Sequence, residues 1–150
     1  MFLTESVTLS ACGIRFQLPP HFTICAPQEL TVDPQIILED SSGSYLITLS
    51  LTHSALPSDL ELRDIFSEGG YQLLTSIAPF AQNDISGHSA AYLSGMQGYW
   101  ELRLDIPTAI PNVSTPNTLV IQLSTHLGQQ ILDFMNAPSI QFLLNSVEFS

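Results

Sequence analysis

The residue types that most often carry chemistry in proteins are few in this sequence and widely spaced. The four histidines are His21, His53, His88 and His126, and no two are two or four positions apart or next to a cysteine. A zinc site needs three or four nitrogen, sulfur or oxygen ligands that converge. The spacing therefore predicts neither a metal site nor a cofactor.

The sequence places a base beside a nucleophile at His88-Ser89, with Asp84 nearby. Adjacent side chains of a strand point to opposite faces, so His88 would not reach the Ser89 hydroxyl. The Gly-x-Ser-x-Gly elbow in which many hydrolases present their serine does not occur. We therefore predict no catalytic residues and expect that the protein is not an enzyme.

Residues 44–52 alternate between apolar and mostly hydroxyl-bearing side chains, which is the pattern of a strand with one dry face. The apolar face carries Tyr45, Ile47, Leu49 and Leu51. Tyr99 faces away from the predicted core residue Trp100, and aromatic side chains are enriched in protein interfaces. The residues predicted to bind a partner are Tyr99 and the hydroxyl-bearing residues of the other face, Thr48, Ser50 and Thr52.

The charge balance excludes two classes of partner. The chain has three arginines, no lysine and fourteen acidic residues, and its net charge is −11. Nucleic-acid binding depends on basic side chains that release counterions from phosphates, and anionic membranes attract basic segments. The expected partner is therefore another protein or an apolar peptide, and a homodimer is the alternative.

The first residues contain no basic segment, and no apolar run is long enough for a signal peptide or a membrane span. We therefore expect a cytoplasmic protein, with a secreted form that has lost its signal as the alternative. Cys12 and Cys25 flank a predicted hairpin of residues 14–18 and 22–24, so a bridge between them is conceivable. Two isolated cysteines are more often small buried hydrophobes, and we favour that state.

The apolar period changes to a helical one after residue 56. The predicted helix presents one face with Leu62, Ile65, Phe66, Gly69, Leu73 and Ile77, and it would end at Pro79. Ser58 and Glu61 have the spacing of a capping box at its start.

A second helix is predicted close to the C-terminus. Asn136 would cap it, Pro138 would lie in its first turn, and its buried stripe would be Ile140, Leu143, Leu144 and Val147. The stretch from Gln129 to Met135 is ambiguous, because it follows a tight turn but its apolar spacing also fits one turn of helix. We favour a strand there and keep the helix as the alternative.

Strand patterns bounded by turn residues account for most of the remaining chain. In residues 100–106, Trp100, Leu102, Leu104 and Ile106 are predicted to face inward, and Glu101, Arg103 and Asp105 outward. Hairpins dominate, and a single helical crossover comes in mid-chain. The sequence therefore predicts an α+β fold, an antiparallel β-sheet of about six to eight strands flanked by a central helix and a C-terminal helix. Its 150 residues fit a single domain.

Four short segments of the chain resemble a known superfamily. They are a Gly-x-x-x-x-Leu-Pro segment at residues 13–19, an Ile-x-x-Ser strand at 47–50, the Ile-Ser-Gly-His-Ser-Ala-Ala-Tyr strand at 85–92, and the closing Leu-Leu-Asn-Ser-Val-Glu-Phe at 143–149. In this order they resemble the PsbP/Mog/DcrB superfamily of small α-β-α domains. The resemblance implies non-enzymatic work as an extrinsic subunit, adaptor or chaperone, and it carries no shared active site.

Two functions follow as hypotheses. The first is a non-catalytic protein-binding, adaptor or chaperone-like domain that acts through the polar face of its sheet or the adjoining groove. The second is a small-ligand-binding protein or minor hydrolase, with a pocket between the sheet and the central helix. Convergence of His88, Asp84 and another histidine in a concave pocket would favour the second.

Overall fold

The computed structural model of the protein describes residues 6–9, 14–28, 35–53, 55–82, 85–106 and 117–149. Within these ranges the strands are β1 (Ser6–Leu9), β2 (Ile14–Gln17), β3 (Phe22–Gln28), β4 (Gln35–Asp40), β5 (Tyr45–Thr52), β6 (Gln72–Leu73), β7 (Ala78–Gln82), β8 (Ile85–Ser94), β9 (Gln97–Asp105), β10 (Thr118–Thr125) and β11 (Glu148–Phe149). The helices are α1 (Ser58–Gly69), α2 (Ile131–Met135) and α3 (Pro138–Ser146), with a 3₁₀ turn at Gly128–Gln130 before α2.

Eight of these strands form one antiparallel sheet. Its order is β3-β4-β5-β10-β9-β8-β6, and β7 also pairs with β8. The strands β1, β2 and β11 form a separate small sheet in which β2 is central. This arrangement confirms the predicted α+β fold with an antiparallel sheet.

One face of the large sheet carries the main core. Ile47, Leu49 and Leu51 of β5 are fully buried there beside the core-facing residues of β10, because the two strands pair with Leu49 opposite Ile121. The small sheet, α2 and α3 cover this face, and they contribute Ile14, Phe16, Ile131, Phe134, Ile140, Leu143 and Leu144. The inward residues predicted for β9 and the apolar stripe predicted for α3 are buried, as expected.

The opposite face of the large sheet is covered differently. Helix α1 packs on β8 and β9, where Leu62 and Ala90 are buried outside the main core. The hydroxyl-bearing side chains of β5 lie on this same face but beyond the helix, and they are partly exposed. The helix therefore forms one wall of a groove whose floor is the sheet.

The central helix is shorter than the sequence predicts. It ends at Gly69, and Gly70 caps it in a left-handed conformation with φ of 65°. Leu73 belongs to β6, and Pro79 lies in β7, at the edge of the sheet, rather than at a helix end. The prediction was wrong because two successive glycines weaken a helix, and Gly70 adopts the positive φ that ends one.

The predicted capping box is also wrong. Pro57 occupies the N-cap position, and no side chain caps the helix. The Ser58 hydroxyl instead donates to Asp105 Oδ1 at 3.0 Å, and Glu61 contacts Arg103. Both side chains are drawn to partners on β9, so tertiary contacts replace the local cap.

The stretch from Gln129 to Met135 is helical, so the favoured strand prediction was wrong. Ile131 and Phe134 are both buried, because a three-residue interval puts them on the same side of a helix. Asn136 ends α2, and Ala137 is the N-cap of α3, whose first turn contains Pro138 as predicted.

The predicted hairpin between residues 14–18 and 22–24 does not form. The strand β2 pairs with β1 and β11, and β3 pairs with β4 in the other sheet. Pro19 and Pro20 lie between the two strands, where the chain passes from one sheet to the other. Cys25 is free but exposed, so the favoured buried state is wrong for this residue, and its thiol donates to Glu39 Oε2 at 2.9 Å. Cys12 lies outside the described residues.

Candidate binding groove

The groove between α1 and the open part of the sheet contains a cavity of about 430 Å³. Its lining residues carry mostly hydroxyl, amide and charged groups, and they are Gln35, Thr48, Ser50, Leu51, Thr52, Glu61, Glu101, Arg103, Val120 and Gln122. The structure thus brings three of the four residues predicted to bind a partner, Thr48, Ser50 and Thr52, into one cavity. Their role in binding stays a prediction.

Strand pairing explains why these side chains meet. Thr48 lies opposite Gln122 of β10, which in turn lies opposite Glu101 of β9. Directly paired residues of antiparallel strands point to the same face of the sheet. The same alternation that buries the apolar residues of β5 therefore assembles the polar floor of the groove.

Thr48 and Ser50 have unused hydrogen-bonding capacity. Neither hydroxyl has a hydrogen-bond partner among the residues that the structure describes. Thr52 differs, because its hydroxyl donates to the His53 carbonyl at 3.5 Å. A hydroxyl can both donate and accept, so Thr48 and Ser50 offer both functions to a ligand.

Arg103 joins the floor of the groove to α1. Its Nε donates to Glu101 Oε2 at 3.0 Å, and its Nη1 contacts Glu61 Oε1. Glu61 Oε2 is buried and has no hydrogen-bond partner in the described structure. The Glu61–Arg103 ion pair therefore holds α1 over the sheet, and it leaves the second carboxylate oxygen of Glu61 without a described partner.

Gln122 is held in one orientation by two acceptors. Its Nε2 donates to Glu101 Oε1 and to the Tyr92 hydroxyl, each at 3.1 Å. A carboxylate oxygen accepts but does not donate, so the NH₂ group must face Glu101. The amide oxygen of Gln122 is consequently left as an acceptor at the groove floor.

Tyr92 supports this network from beneath α1. Burial raises the pKa of its hydroxyl, and the negative charge of Glu101 raises it further. Its ring lies among the rings of Phe66, Tyr71 and Tyr99. The phenol is thus kept protonated in an aromatic cluster at the side of the groove.

Tyr99 belongs to that aromatic cluster and is not part of the cavity lining. It stacks on Tyr92 with ring centroids 5.2 Å apart, and its hydroxyl contacts Gln97. The side chain is partly buried. Its predicted partner contact is untested, and it is separate from the site that contains Thr48, Ser50 and Thr52.

The sequence predicts the direction of two charged groove residues, Glu101 and Arg103, but not their burial. Glu101 and Arg103 lie on the predicted face, opposite the core residues, but they are not solvated there. Glu101 is only 5% exposed, since α1 and neighbouring strands cover it. The alternation of residues 100–106 predicts the direction of these side chains. No local sequence pattern predicts that α1 packs above them.

The histidines lie away from the cavity lining. His88 is partly buried opposite Arg103, with an Nδ1 atom that has no described partner, whereas His21, His53 and His126 are exposed. Ser89 pairs with Leu102 on the core side, so it points away from His88, and Asp84 lies outside the described residues.

Within the described ranges, no three potential ligands from His, Cys, Asp or Glu gather as a metal ion would require. No helix in that part of the chain is long and apolar enough to cross a membrane.

No family model matches the sequence, and a search of curated proteins gives no match. The fold is similar to the solution structure of cyanobacterial PsbP (CyanoP) from Synechocystis sp. PCC 6803, with a TM-score of 0.59 and 8% sequence identity. The alignment covers 98% of this chain and 92% of that chain. A likeness at this identity concerns the fold alone. It confirms the PsbP-like part of the predicted resemblance, and the relation to Mog and DcrB stays a prediction.

Proposed function

We propose that the protein is a non-catalytic binding protein whose groove holds an extended segment of a partner polypeptide. The observation that carries this proposal is the pair of hydroxyls, Thr48 and Ser50, that have no described hydrogen-bond partner and lie on a strand in the middle of the sheet. Hydrogen-bonding groups on such a rigid element are positioned before a ligand arrives, which lowers the entropic cost of binding.

The spacing of these groups favours an extended chain as the occupant. Alternate residues of a strand repeat at about 6.6–6.8 Å, and an extended polypeptide presents its alternate groups at the same interval. A segment lying along β5 could therefore meet Thr48, Ser50 and Thr52 in succession. Gln122 would contact the same segment from the neighbouring strand.

The absence of catalysis is part of the proposal. His88 and Ser89 lie on opposite faces of β8, so a serine–histidine pair is not assembled there. The glutamates of the groove are engaged with Arg103 instead of standing free as an acid and a base. The family resemblance, which implies accessory work, supports the same function.

Affinity capture from the native host tests this proposal. Thr48→Tyr fills the groove with a bulky side chain, and Gln141→Tyr places the same side chain on the exposed side of α3, which packs on the opposite face of the sheet. We expect the native protein and the Gln141→Tyr control to retain one partner that Thr48→Tyr loses. Equal recovery with all three, or recovery with none, would contradict the proposal.

A small ligand is the second candidate, and the cavity itself favours it. Its volume of about 430 Å³ falls within the range of roughly 300–1,000 Å³ typical of small-molecule sites. Native mass spectrometry of protein isolated from its host separates the two candidates. A bound species of small mass that Thr48→Tyr fails to retain would favour the small ligand over a polypeptide.

A further inference from the structure

Resting on the proposed function, we infer that the groove selects a partner segment that places a lysine or arginine side chain beside Glu61 and Gln122. The first reason is the charge of the face that contains the groove. On this face of the sheet and on α1, the described residues include seven acids, Glu39, Asp59, Glu61, Asp64, Glu68, Glu101 and Asp105, against two cations, Arg63 and Arg103. Opposite charge on the partner is therefore favoured in both approach and binding.

The second reason is the polarity of the available hydrogen-bonding groups. Arg103 is the only cation among the described lining residues, and Glu61 and Glu101 both pair with its guanidinium. Gln122 offers its amide oxygen, since its NH₂ group is committed to Glu101 and Tyr92. These acceptors therefore need donors from the segment, and lysine and arginine side chains supply only donors.

Charge also decides between a basic segment and a second copy of this chain. Two copies would each bring a net charge of −11 to the contact. A segment rich in aspartate or glutamate would meet the same repulsion. A basic segment matches the groove in sign and in hydrogen-bond polarity, and neither alternative matches both.

A single-position peptide series measures this preference. The host is an extended octapeptide of serine and threonine with lysine, arginine, norleucine or glutamate at one central position, and binding is followed through the amide NMR signals of Thr48, Ser50 and Gln122. We expect the lysine and arginine peptides to bind about tenfold more tightly than norleucine, and the glutamate peptide most weakly.

Two isoelectric variants separate local recognition from general attraction to an acidic protein. Glu61→Gln removes a charge inside the groove, and Glu68→Gln removes one from the exposed surface of the same helix. The preference for lysine over norleucine should fall about three- to tenfold in Glu61→Gln and stay unchanged in Glu68→Gln. Gln122→Met removes the acceptor on the sheet side of the groove. It should also lower the preference for lysine over norleucine, which keeps the test valid if Glu61→Gln loosens α1.

Each outcome bears on a different claim. Norleucine binding in the groove as tightly as lysine would overturn the charge selection and leave the proposed function standing. Equal effects of Glu61→Gln and Glu68→Gln would mean that the preference depends only on net charge. That result would also overturn the charge selection by the groove. If no peptide of any charge shifted the three groove amides, both the selection and the polypeptide-binding function would fail.

Discussion

Arg103 donates from Nε to Glu101 Oε2 at 3.0 Å, although the two residues are only two positions apart on one strand. Their side chains are 12% and 6% exposed, respectively, so the pair is largely shielded from water. Arg103 also contacts Glu61, and Glu101 also accepts from Gln122. One guanidinium therefore links the helix, the sheet and the polar floor of the groove.

This pair should contribute strongly to stability. Arg103→Met would leave Glu101 buried without its cation, and we expect a loss of about 3 kcal/mol in the free energy of unfolding. Urea denaturation measures the loss. Arg15→Met is the control, because the Arg15–Glu148 pair has side chains 59% and 64% exposed and should contribute under about 1 kcal/mol. Equal losses in the two variants would contradict this account of the network.

The groove hydroxyls should contribute little to stability. Thr48→Val and Ser50→Ala remove groups that have no described partner, so we expect unfolding free energies within about 0.5 kcal/mol of the native protein. Leu49→Ala, between them on the core face, should cost about 3 kcal/mol. Thermal unfolding of the three variants tests the contrast. A large loss from either hydroxyl substitution would show that the hydroxyl has an internal structural role.

Tyr92 should make the protein sensitive to alkali. Burial, and secondarily the charge of Glu101, raise the pKa of its hydroxyl above the ordinary value of 10.0. The unfolded chain would release this proton at a lower pH than the folded protein does. The contribution of Tyr92 is therefore complete below about pH 10 and is lost as the pH rises further.

Urea midpoints measured from about pH 8 to about pH 11 test this dependence. Tyr92→Phe should flatten the alkaline decline, even though it also removes the hydrogen bond from Gln122. Tyr45→Phe removes a tyrosine whose hydroxyl contacts Gln130 outside the groove, and it should keep the decline. An unchanged decline in Tyr92→Phe would refute the assignment.

Gly87 should be required for the position of Arg103. A Cβ atom at Gly87 would lie 1.9 Å from the backbone oxygen of Arg103, so β8 and β9 would have to separate locally. We expect Gly87→Ala to cost at least about 2 kcal/mol and to shift the amide NMR signals of β9. Ser86→Ala, at the exposed neighbouring position, should do neither. Native-like signals in Gly87→Ala would disprove the close contact.

The sequence predicts well those elements whose own side chains are enough to specify them. The alternation of β5 and β9 identified the core-facing apolar residues of both strands, and the stripe of α3 was recognised from its period. The end of α1 was missed because apolar spacing continued past the two glycines at residues 69 and 70. For residues 129–135, a short apolar run could not distinguish a strand from a turn of helix.

The groove could be predicted only in part. Alternation alone put Thr48, Ser50 and Thr52 on one polar face. Gln122 and Glu101 join them through strand pairing, which depends on the order of the strands in the sheet. Glu61 was read as a local cap, and its contact with Arg103 spans 42 positions of the chain, a separation that no local pattern encodes.

Photo-crosslinking from the groove tests the central claim most directly. The photoreactive residue benzoylphenylalanine would replace Ser50 on the floor of the groove or, as a control, Gln141 on the exposed side of α3. After irradiation in the native host, we predict a discrete polypeptide adduct from position 50 and none from position 141. Adducts from position 141 without any from position 50 would contradict the claim that this groove is the binding site.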